Sequence, residues 1–151
     1  MRFKMTLDVS HFTNNLREIT KQMSKIIDEA KTIVAIQMLT YMNIGSPNTN
    51  AKPPIRWGVL RGSSTAFVGN RLVGTFSPTA DKITSYSGSK DEITIVFNTS
   101  YAAKMHEWDG GWGKFTLNDT GAGAKWVEKH INADGPLLLS LFAEEVKKRS
   151  R

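Results

Sequence analysis

The chain has 151 residues, 40% of them hydrophobic and 23% charged, which is typical of one globular domain spanning residues 1–151. It contains no cysteine, which excludes disulfide bonds and thiolate metal sites and agrees with a reducing compartment. The formal net charge is +6, but four of the basic residues lie in the last five positions, where they complement a helix dipole. We expect neither a signal peptide nor a membrane span, because the most apolar run, Ile33–Ile44, is too short to cross a bilayer.

A loose period-2 alternation predicts a short strand over residues 1–9, and a long helix follows over Ser10–Ile44. Gly45 is a suitable left-handed C-cap, and Pro47 cannot continue the helix. Apolar residues at spacings of four and three predict one apolar stripe along the first half: Phe12, Leu16, Ile19, Met23, Ile26, Ala30 and Ile33. From Ile33 onward the pattern is apolar on nearly all sides, which predicts a buried core helix.

The length of this helix predicts a contact with another chain. At about 1.5 Å per residue it is roughly 50 Å long, whereas a compact domain of this size is about 40 Å across. The alternative is a kink, but residues 10–44 contain no Pro or Gly that would cause one. We therefore expect the first half of the helix, with Phe12, Leu16 and Ile19, to pack against a neighbouring subunit.

The middle of the chain reads as a loop followed by antiparallel strands. Residues 46–54 hold three prolines and two asparagines and predict an exposed, mobile loop. We expect Arg61 in an extended segment, as a positioning residue at a sheet edge or in a subunit contact. Gly69-Asn70 predicts a hairpin between strands at 65–68 and 71–76. A weak strand is expected over Lys82–Tyr86 and a strong one over Glu92–Asn98.

Helices are predicted to complete the fold. Ser100 is placed to cap a short helix over Tyr101–Trp108, and a glycine-rich loop follows at Asp109–Asp119. A helix is expected over Ala124–Ile131, and Asp134 is expected to cap a final helix that opens at Gly135-Pro136. The predicted fold is α+β, with a long N-terminal helix and C-terminal helices packed on one face of a curved, mainly antiparallel sheet.

The sequence offers little catalytic chemistry. His11 and His130 are interpreted as solvated helix residues, and His106-Glu107 with Asp109 is the one histidine–carboxylate cluster. Neighbouring residues of a helix point in different directions, which argues against a metal or acid–base site there. No phosphate-binding loop, nucleophile elbow or zinc signature is present. We therefore expect a protein that is not an enzyme and has no cofactor, metal site or catalytic residue.

Large aromatic residues in loops are more informative. Trp57, Trp108, Trp112 and Phe115 all lie in or beside predicted loops. Such residues often anchor protein interfaces, and they also cap sheets from within. On sequence alone the two interpretations carry equal weight.

An ordered set of short motifs resembles the neck and tail-completion proteins of long-tailed bacteriophages, the minor tail protein Z-like family. The set comprises the long helix, the Gly-Val-Leu-Arg-Gly-Ser segment at 58–63, and Thr-Ser-Tyr-Ala-Ala at 99–103 with Glu107 downstream. Ala124–Val127 and a C-terminal helix complete it. Two departures concern the loops: Arg56-Trp57-Gly58 stands where the family shows Asp-Thr-Gly, and the segment after Glu107 is enlarged.

The resemblance implies a structural virion protein that joins tail to head. It implies a ring, expected to be a hexamer, that contacts head connector or stopper proteins and tail terminator or tail tube proteins. DNA would pass through the channel without specific recognition. The protein would be assembled in the bacterial cytoplasm and would reside in the virion neck.

Two alternatives remain open at this point. One is a tail terminator, which shares size and architecture with tail-completion proteins. The other, outside virions, is a small basic nucleic-acid-binding or RNA-cleaving domain that uses the C-terminal basic residues with His106 and Glu107. Steep salt dependence of DNA binding would favour this second alternative.

Overall fold

The computed structural model describes residues 10–54, 59–77, 83–108 and 121–151, with residues 10–13 described by their backbone alone. The elements are α1 (Ser10–Ile44), α2 (Val59–Gly62), β1 (Ser64–Val68), β2 (Arg71–Thr75), β3 (Ile93–Phe97), α3 (Ala102–Glu107) and α4 (Trp126–Arg149). The predicted α+β class is confirmed: α1 and α4 accompany a three-stranded antiparallel sheet. The strand expected at 1–9, the loop at Asp109–Asp119, and Trp57, Trp112 and Phe115 lie outside the described residues.

Helix α1 has the predicted bounds and ends for the predicted reason. Gly45 adopts a φ of 91°, a left-handed conformation that costs glycine nothing. Its N–H donates to the Tyr41 carbonyl oxygen at 2.9 Å, which satisfies one of the last free carbonyls of the helix. The chain then turns away from the helix axis into residues 46–54.

The sheet has the strand order β2-β1-β3, and both pairings are antiparallel. The Gly69-Asn70 hairpin is confirmed, with Gly69 at a φ of 59°. The register shifts between Ala66 and Phe67, a bulge that lets both Val73 and Gly74 face α1. Ile93 and Ile95 of β3 lie on this face too, as their alternation predicted.

The core forms where the second half of α1 covers the sheet. Ala35 and Leu39 of α1 pack on Ala66 and Val68 of β1. Asn43, fully buried, donates through Nδ2 to Ser64 Oγ at 2.8 Å and so joins the end of α1 to β1 by a polar contact as well. A second cluster under the first turn of α4 contains Trp126, Leu60 and Ala51.

Helix α4 runs antiparallel to α1. Near its start Asp134 accepts a hydrogen bond from Ser46 Oγ at 2.7 Å, and at its end Arg149 Nε lies 3.2 Å from Glu29 Oε2. The helix therefore accompanies α1 from residue 46 back to residue 29. The sheet and α4 cover two sides of the second half of α1.

Several predictions about the loops are wrong. Residues 83–86 form no strand, and Tyr86 instead lays its ring 5.5 Å from Phe67 on the sheet face opposite α1. The segment 46–54 is partly internal, since Ala51, Pro53 and Pro54 are buried beside α4 and α2. Proline and asparagine content identified an irregular segment correctly, but it could not show that other elements cover it.

The predicted break before a final helix is also wrong. Helix α4 is continuous from Trp126 to Arg149, with Pro136 inside it. Asp134 does not cap a helix, because its carboxylate bonds His130 and Ser46 in the interior. Helix α3 likewise begins after Tyr101 with no side-chain cap, so the capping role expected of Ser100 is not used.

The second half of α1 is less buried than its composition predicts. Ile33, Ile36 and Ile44 are exposed, although Val34 and Met42 nearby are buried. The sheet and α4 cover two sides of the helix, and no other element of the described residues covers the third. Apolar composition on all sides therefore does not mean burial on all sides.

We predict that Leu39→Ala destabilises the protein by about 2–5 kcal/mol and that Ile36→Ala costs well under half as much. The two residues are on one helix, but Leu39 is 4% exposed and Ile36 is 43% exposed. Urea unfolding of the two variants and the wild type measures the difference. Equal losses would show that Ile36 belongs to the core.

Candidate protein interface

Helix α1 extends past both elements that pack on it. Glu29 meets Arg149 at the end of α4, while Asp28 bonds Arg71 of β2 at 2.7 Å. Lys31 pairs with Asp91, 2.9 Å away, in the turn before β3. Residues 10–27 lie beyond all these contacts, and at 1.5 Å per residue they form an arm about 27 Å long. We call residues 10–27 the projecting arm.

The projecting arm exposes an apolar stripe, which we define as Leu16, Ile19 and Met23. Their exposed fractions are 47%, 59% and 39%. At about 100° per residue, Asn15 and Thr20 flank the stripe, and every charged residue of positions 14–27 lies more than about 120° from its centre. A partner could therefore cover the stripe without burying a charge, as the cores of protein interfaces require.

The stripe continues the side of α1 on which α4 packs. Ala30 and Val34 follow it along the same side and are buried. They do not belong to the cluster that α1 forms with the sheet, and α4 is the other described element packed on α1. A partner helix lying on the stripe would pack against the same side of α1 as α4 does. It would lie nearer the N-terminal end of α1 than α4.

The structure brings together only some of the residues predicted for the interface. Leu16 and Ile19 lie on the stripe, and Phe12 lies in α1 with its side chain outside the description. Trp108 directly follows α3, is exposed, and does not belong to the stripe. Lys104 Nζ lies 5.9 Å from the centre of its ring. The exposure of Ile36 was missed, because periodicity does not reveal which side of a helix stays uncovered.

Arg61 is not in an extended segment. It lies in α2 and donates from Nε and Nη2 to the Pro53 carbonyl oxygen, at 3.0 and 2.7 Å. One guanidinium thus holds the end of the 46–54 segment against α2, as its fork of donors allows. A subunit contact by Arg61 stays a prediction.

The side chains of the histidine–carboxylate cluster lie closer together than the sequence predicts. His106 Nδ1 lies 2.9 Å from Glu107 Oε1, so the expectation that these neighbours diverge is wrong. The long glutamate side chain folds back, and Glu128 of α4 joins from a distant part of the sequence. His106, Glu107 and Glu128 could together offer three ligand atoms to a metal ion.

Lys125 occupies the centre of this cluster. Its ammonium donates to Glu107 Oε2 and to Glu128 Oε1, the latter at 3.3 Å. The hydrogen bond from Lys125 is the main cause that lowers the pKa of Glu107, and the same bond raises the pKa of Lys125. A cation from the chain itself already neutralises the carboxylates, so a divalent ion would have to displace it.

The structure contains a second polar cluster, which is buried and includes His130. The prediction that His130 is solvated is therefore wrong. His130 Nε2 donates to the Ala51 carbonyl oxygen at 2.7 Å, and Nδ1 lies 2.6 Å from Asp134 Oδ2. Because a carbonyl can only accept, Nε2 carries a proton, and one further proton is shared between Nδ1 and the carboxylate. Ser46 donates to the other carboxylate oxygen.

These three side chains do not form a nucleophilic triad. The hydroxyl of Ser46 bonds Asp134 rather than His130, and the far nitrogen of His130 is taken by Ala51. A serine nucleophile needs a base beside its own hydroxyl. The group instead ties the 46–54 segment to α4, and its polar atoms are paired inside the protein.

Comparison with protein-family models, with curated proteins and with solved structures yields no match. Among the helices of the described residues, none combines the length and the apolar content needed to cross a membrane. Inferences about function therefore depend on the surfaces and clusters above and on the motif resemblance.

We predict that Asp134→Ala destabilises the protein by about 3–5 kcal/mol, because it leaves His130 and Ser46 without their buried partner. Urea unfolding gives the value. Asn132→Ala, an exposed neighbour on the same helix, should change stability by less than about 0.5 kcal/mol. Equal effects of the two substitutions would contradict the role assigned to Asp134.

The ion pair on Glu107 predicts a pH dependence. Its lowered pKa means that the carboxylate contributes stability above its usual pKa and loses that contribution as pH falls through the lowered value. Glu107→Gln should therefore be less stable than the wild type near pH 7, and the difference should shrink toward about pH 2.5.

Unfolding measured across this pH range tests the expectation, with Glu144→Gln as the control. Glu144 is exposed on α4 and has no ion pair with the described residues. A Glu107→Gln deficit that stays constant with pH would rule out the charge as its cause.

Proposed function

We propose that this protein is a structural subunit that assembles with copies of itself through the projecting arm. The observation that carries the proposal is that α1 extends past both the sheet and α4 while exposing a charge-free apolar stripe. A monomer gains nothing from leaving Leu16, Ile19 and Met23 half exposed, whereas covering the exposed half of each would contribute roughly 0.7–1.5 kcal/mol.

The surface of α1 favours a ring over a two-fold dimer. The stripe lies on the α4 side of the arm, whereas Ile33, Ile36 and Ile44 form a second exposed apolar surface on another side, farther along the helix. A ring needs two different patches, one that docks and one that receives, whereas a two-fold dimer needs one patch that meets itself. Two different surfaces allow a head-to-tail contact between copies, and we propose that this contact closes into a ring.

The motif resemblance suggests where such a ring would act. We propose a tail-completion or neck protein at the head–tail junction of a long-tailed bacteriophage, with six copies around the DNA channel. Head connector or stopper proteins on one side, and tail terminator or tail tube proteins on the other, would be its partners. It would be assembled in the bacterial cytoplasm and would reside in the virion. The α+β fold with its long first helix agrees with this proposal, and a tail terminator is the closest alternative.

The polar clusters support a structural role rather than catalysis. Lys125 neutralises Glu107 and Glu128, and Asp134 holds His130 in the interior. Arg149, one of the C-terminal basic residues, is engaged by Glu29 and Glu145. An RNA-cleaving site would need a free base and a free acid beside a substrate surface. These contacts leave the enzyme alternative without a supporting observation.

The experiment is to measure the mass of the purified wild type and of Leu16→Asp/Ile19→Asp by light scattering, alone and with tail fractions. We expect the wild type to form a ring, alone or on its partner, and the double variant to remain monomeric. Its melting temperature should stay close to that of the wild type, because both side chains are exposed in the single chain.

Two control variants make the outcome decisive. Leu139→Asp changes an apolar residue that is 71% exposed on α4 and should assemble normally. Leu39→Asp should unfold the monomer itself, and it replaces Ile36 as the core control because Ile36 is exposed. If the Leu16/Ile19 variant melts as low as Leu39→Asp, the stripe belongs to the monomer core and the proposal fails.

A further inference from the structure

The side of the projecting arm opposite the apolar stripe carries a row of cations. Arg17, Lys21 and Lys25 follow one another at intervals of four residues, about 6 Å apart along the axis. All three are exposed. Their mean direction lies about 170° from that of the stripe at 100° per residue. We call these three residues the basic ridge.

A fourth cation joins the ridge from a different element. Lys90, in the turn before β3, lines one open groove together with the ridge. The hydroxyl residues Thr20 and Ser24 lie in the same groove, between the cations. Lysine, arginine and hydroxyl side chains are the groups that proteins use to hold phosphate oxygens of DNA.

Arg17, Lys21, Lys25 and Lys90 form no ion pair with the described residues, so their charges are free to meet a ligand. Lys31, Lys125 and Arg149 each meet a carboxylate of the chain. The acid nearest the base of the ridge, Asp28, is bound by Arg71, and Asp91 beside Lys90 is bound by Lys31.

A single acid lies within the arm itself. Glu18 accepts a hydrogen bond from Gln22 at 3.4 Å, and positions 14–27 hold no other carboxylate. The groove thus carries four cations with no ion pair to the described residues, because the acids nearest to it are bound by other cations.

We infer that the basic ridge and Lys90 bind the phosphate backbone of double-stranded DNA without reading its sequence. The cations complement a polyanion, and lysines act as point charges that carry no base preference. A helix that lies on an anionic membrane also carries cations opposite its apolar face, so the test includes anionic vesicles. The ridge lies on the side of the helix opposite the stripe, while Leu16 borders the ridge groove and Lys90 also borders a groove with Ile19 and Met23. The inference needs a single chain and stands apart from the proposed assembly.

The test is fluorescence anisotropy of a labelled DNA duplex titrated with the full chain between 50 and 200 mM salt. Four phosphate contacts predict that affinity falls with a log–log slope of about −3.6, or about 10²-fold over this range. The slope becomes steeper if several chains of one assembly contact the same duplex. Duplexes of unrelated sequence should bind equally.

The decisive comparison is between two double variants, each of which removes two positive charges from a different part of the protein. Lys21→Gln/Lys25→Gln should weaken binding about tenfold or more and reduce the slope by about 1.8. Lys147→Gln/Lys148→Gln makes the same change in net charge at the exposed end of α4 and should leave binding near that of the wild type. Circular dichroism checks that both variants are folded, and light scattering checks that the ridge variant still assembles.

Three outcomes would overturn the inference. Equal losses in the two double variants would show a response to net charge alone, and a loss confined to the Lys147/Lys148 variant would place the site on α4. Binding to vesicles containing phosphatidylserine without binding to the duplex would assign the ridge to membranes. Normal assembly of a ridge variant that has lost DNA binding would separate this inference from the proposed function.

Discussion

The second half of α1 is the surface on which the rest of the protein packs. Ala35 and Leu39 face the sheet, Asn43 bonds β1, and Ala30 is buried on the side of α4. Burial of apolar side chains is the largest favourable term in folding, and α1 contributes to the cluster that forms on the sheet. The ion pairs that α1 makes with the end of α4 and with the sheet lie at residues 28–31, and most side chains described before them are exposed. The projecting arm is thus a consequence of unequal element lengths.

A buried polar group makes the packing of α4 possible. His130 and Asp134 satisfy one another and reach Ala51 and Ser46 on the segment after α1. Removing polar groups from water is costly unless each finds a partner, and these do. These contacts hold α4 before Pro136, and the Arg149–Glu29 ion pair holds it after Pro136, a residue that would favour a helix break in an isolated peptide. Tertiary hydrogen bonds therefore decide where this helix begins.

The projecting arm carries two different surfaces, an apolar one and a basic one, on different sides of one helix. Its apolar stripe suits another protein chain, and its basic ridge suits a polyanion. Elsewhere several charged groups stabilise the fold: Lys125 binds Glu107 and Glu128, and Arg149 pairs with Glu29. The arm thus carries both exposed apolar side chains and cations without an ion pair to the described residues.

The sequence predicted correctly those elements that depend on residues close together in the chain. The bounds of α1, its glycine cap at Gly45 and the Gly69-Asn70 hairpin follow from periodicity and turn chemistry, which act within a few residues. The stripe with Leu16 and Ile19 was predicted in the same way, and its exposure was expected from the length of the helix.

Tertiary structure alone decided the contacts between distant segments. The burial of His130, the helical position of Arg61, the exposure of Ile36 and the meeting of Glu107 with Lys125 depend on which segments pack together. A residue's type and its near neighbours do not specify which side of a helix another element will cover. The sequence by itself therefore determined the projecting helix and its apolar stripe, and the packed fold decided where they end and what they leave exposed.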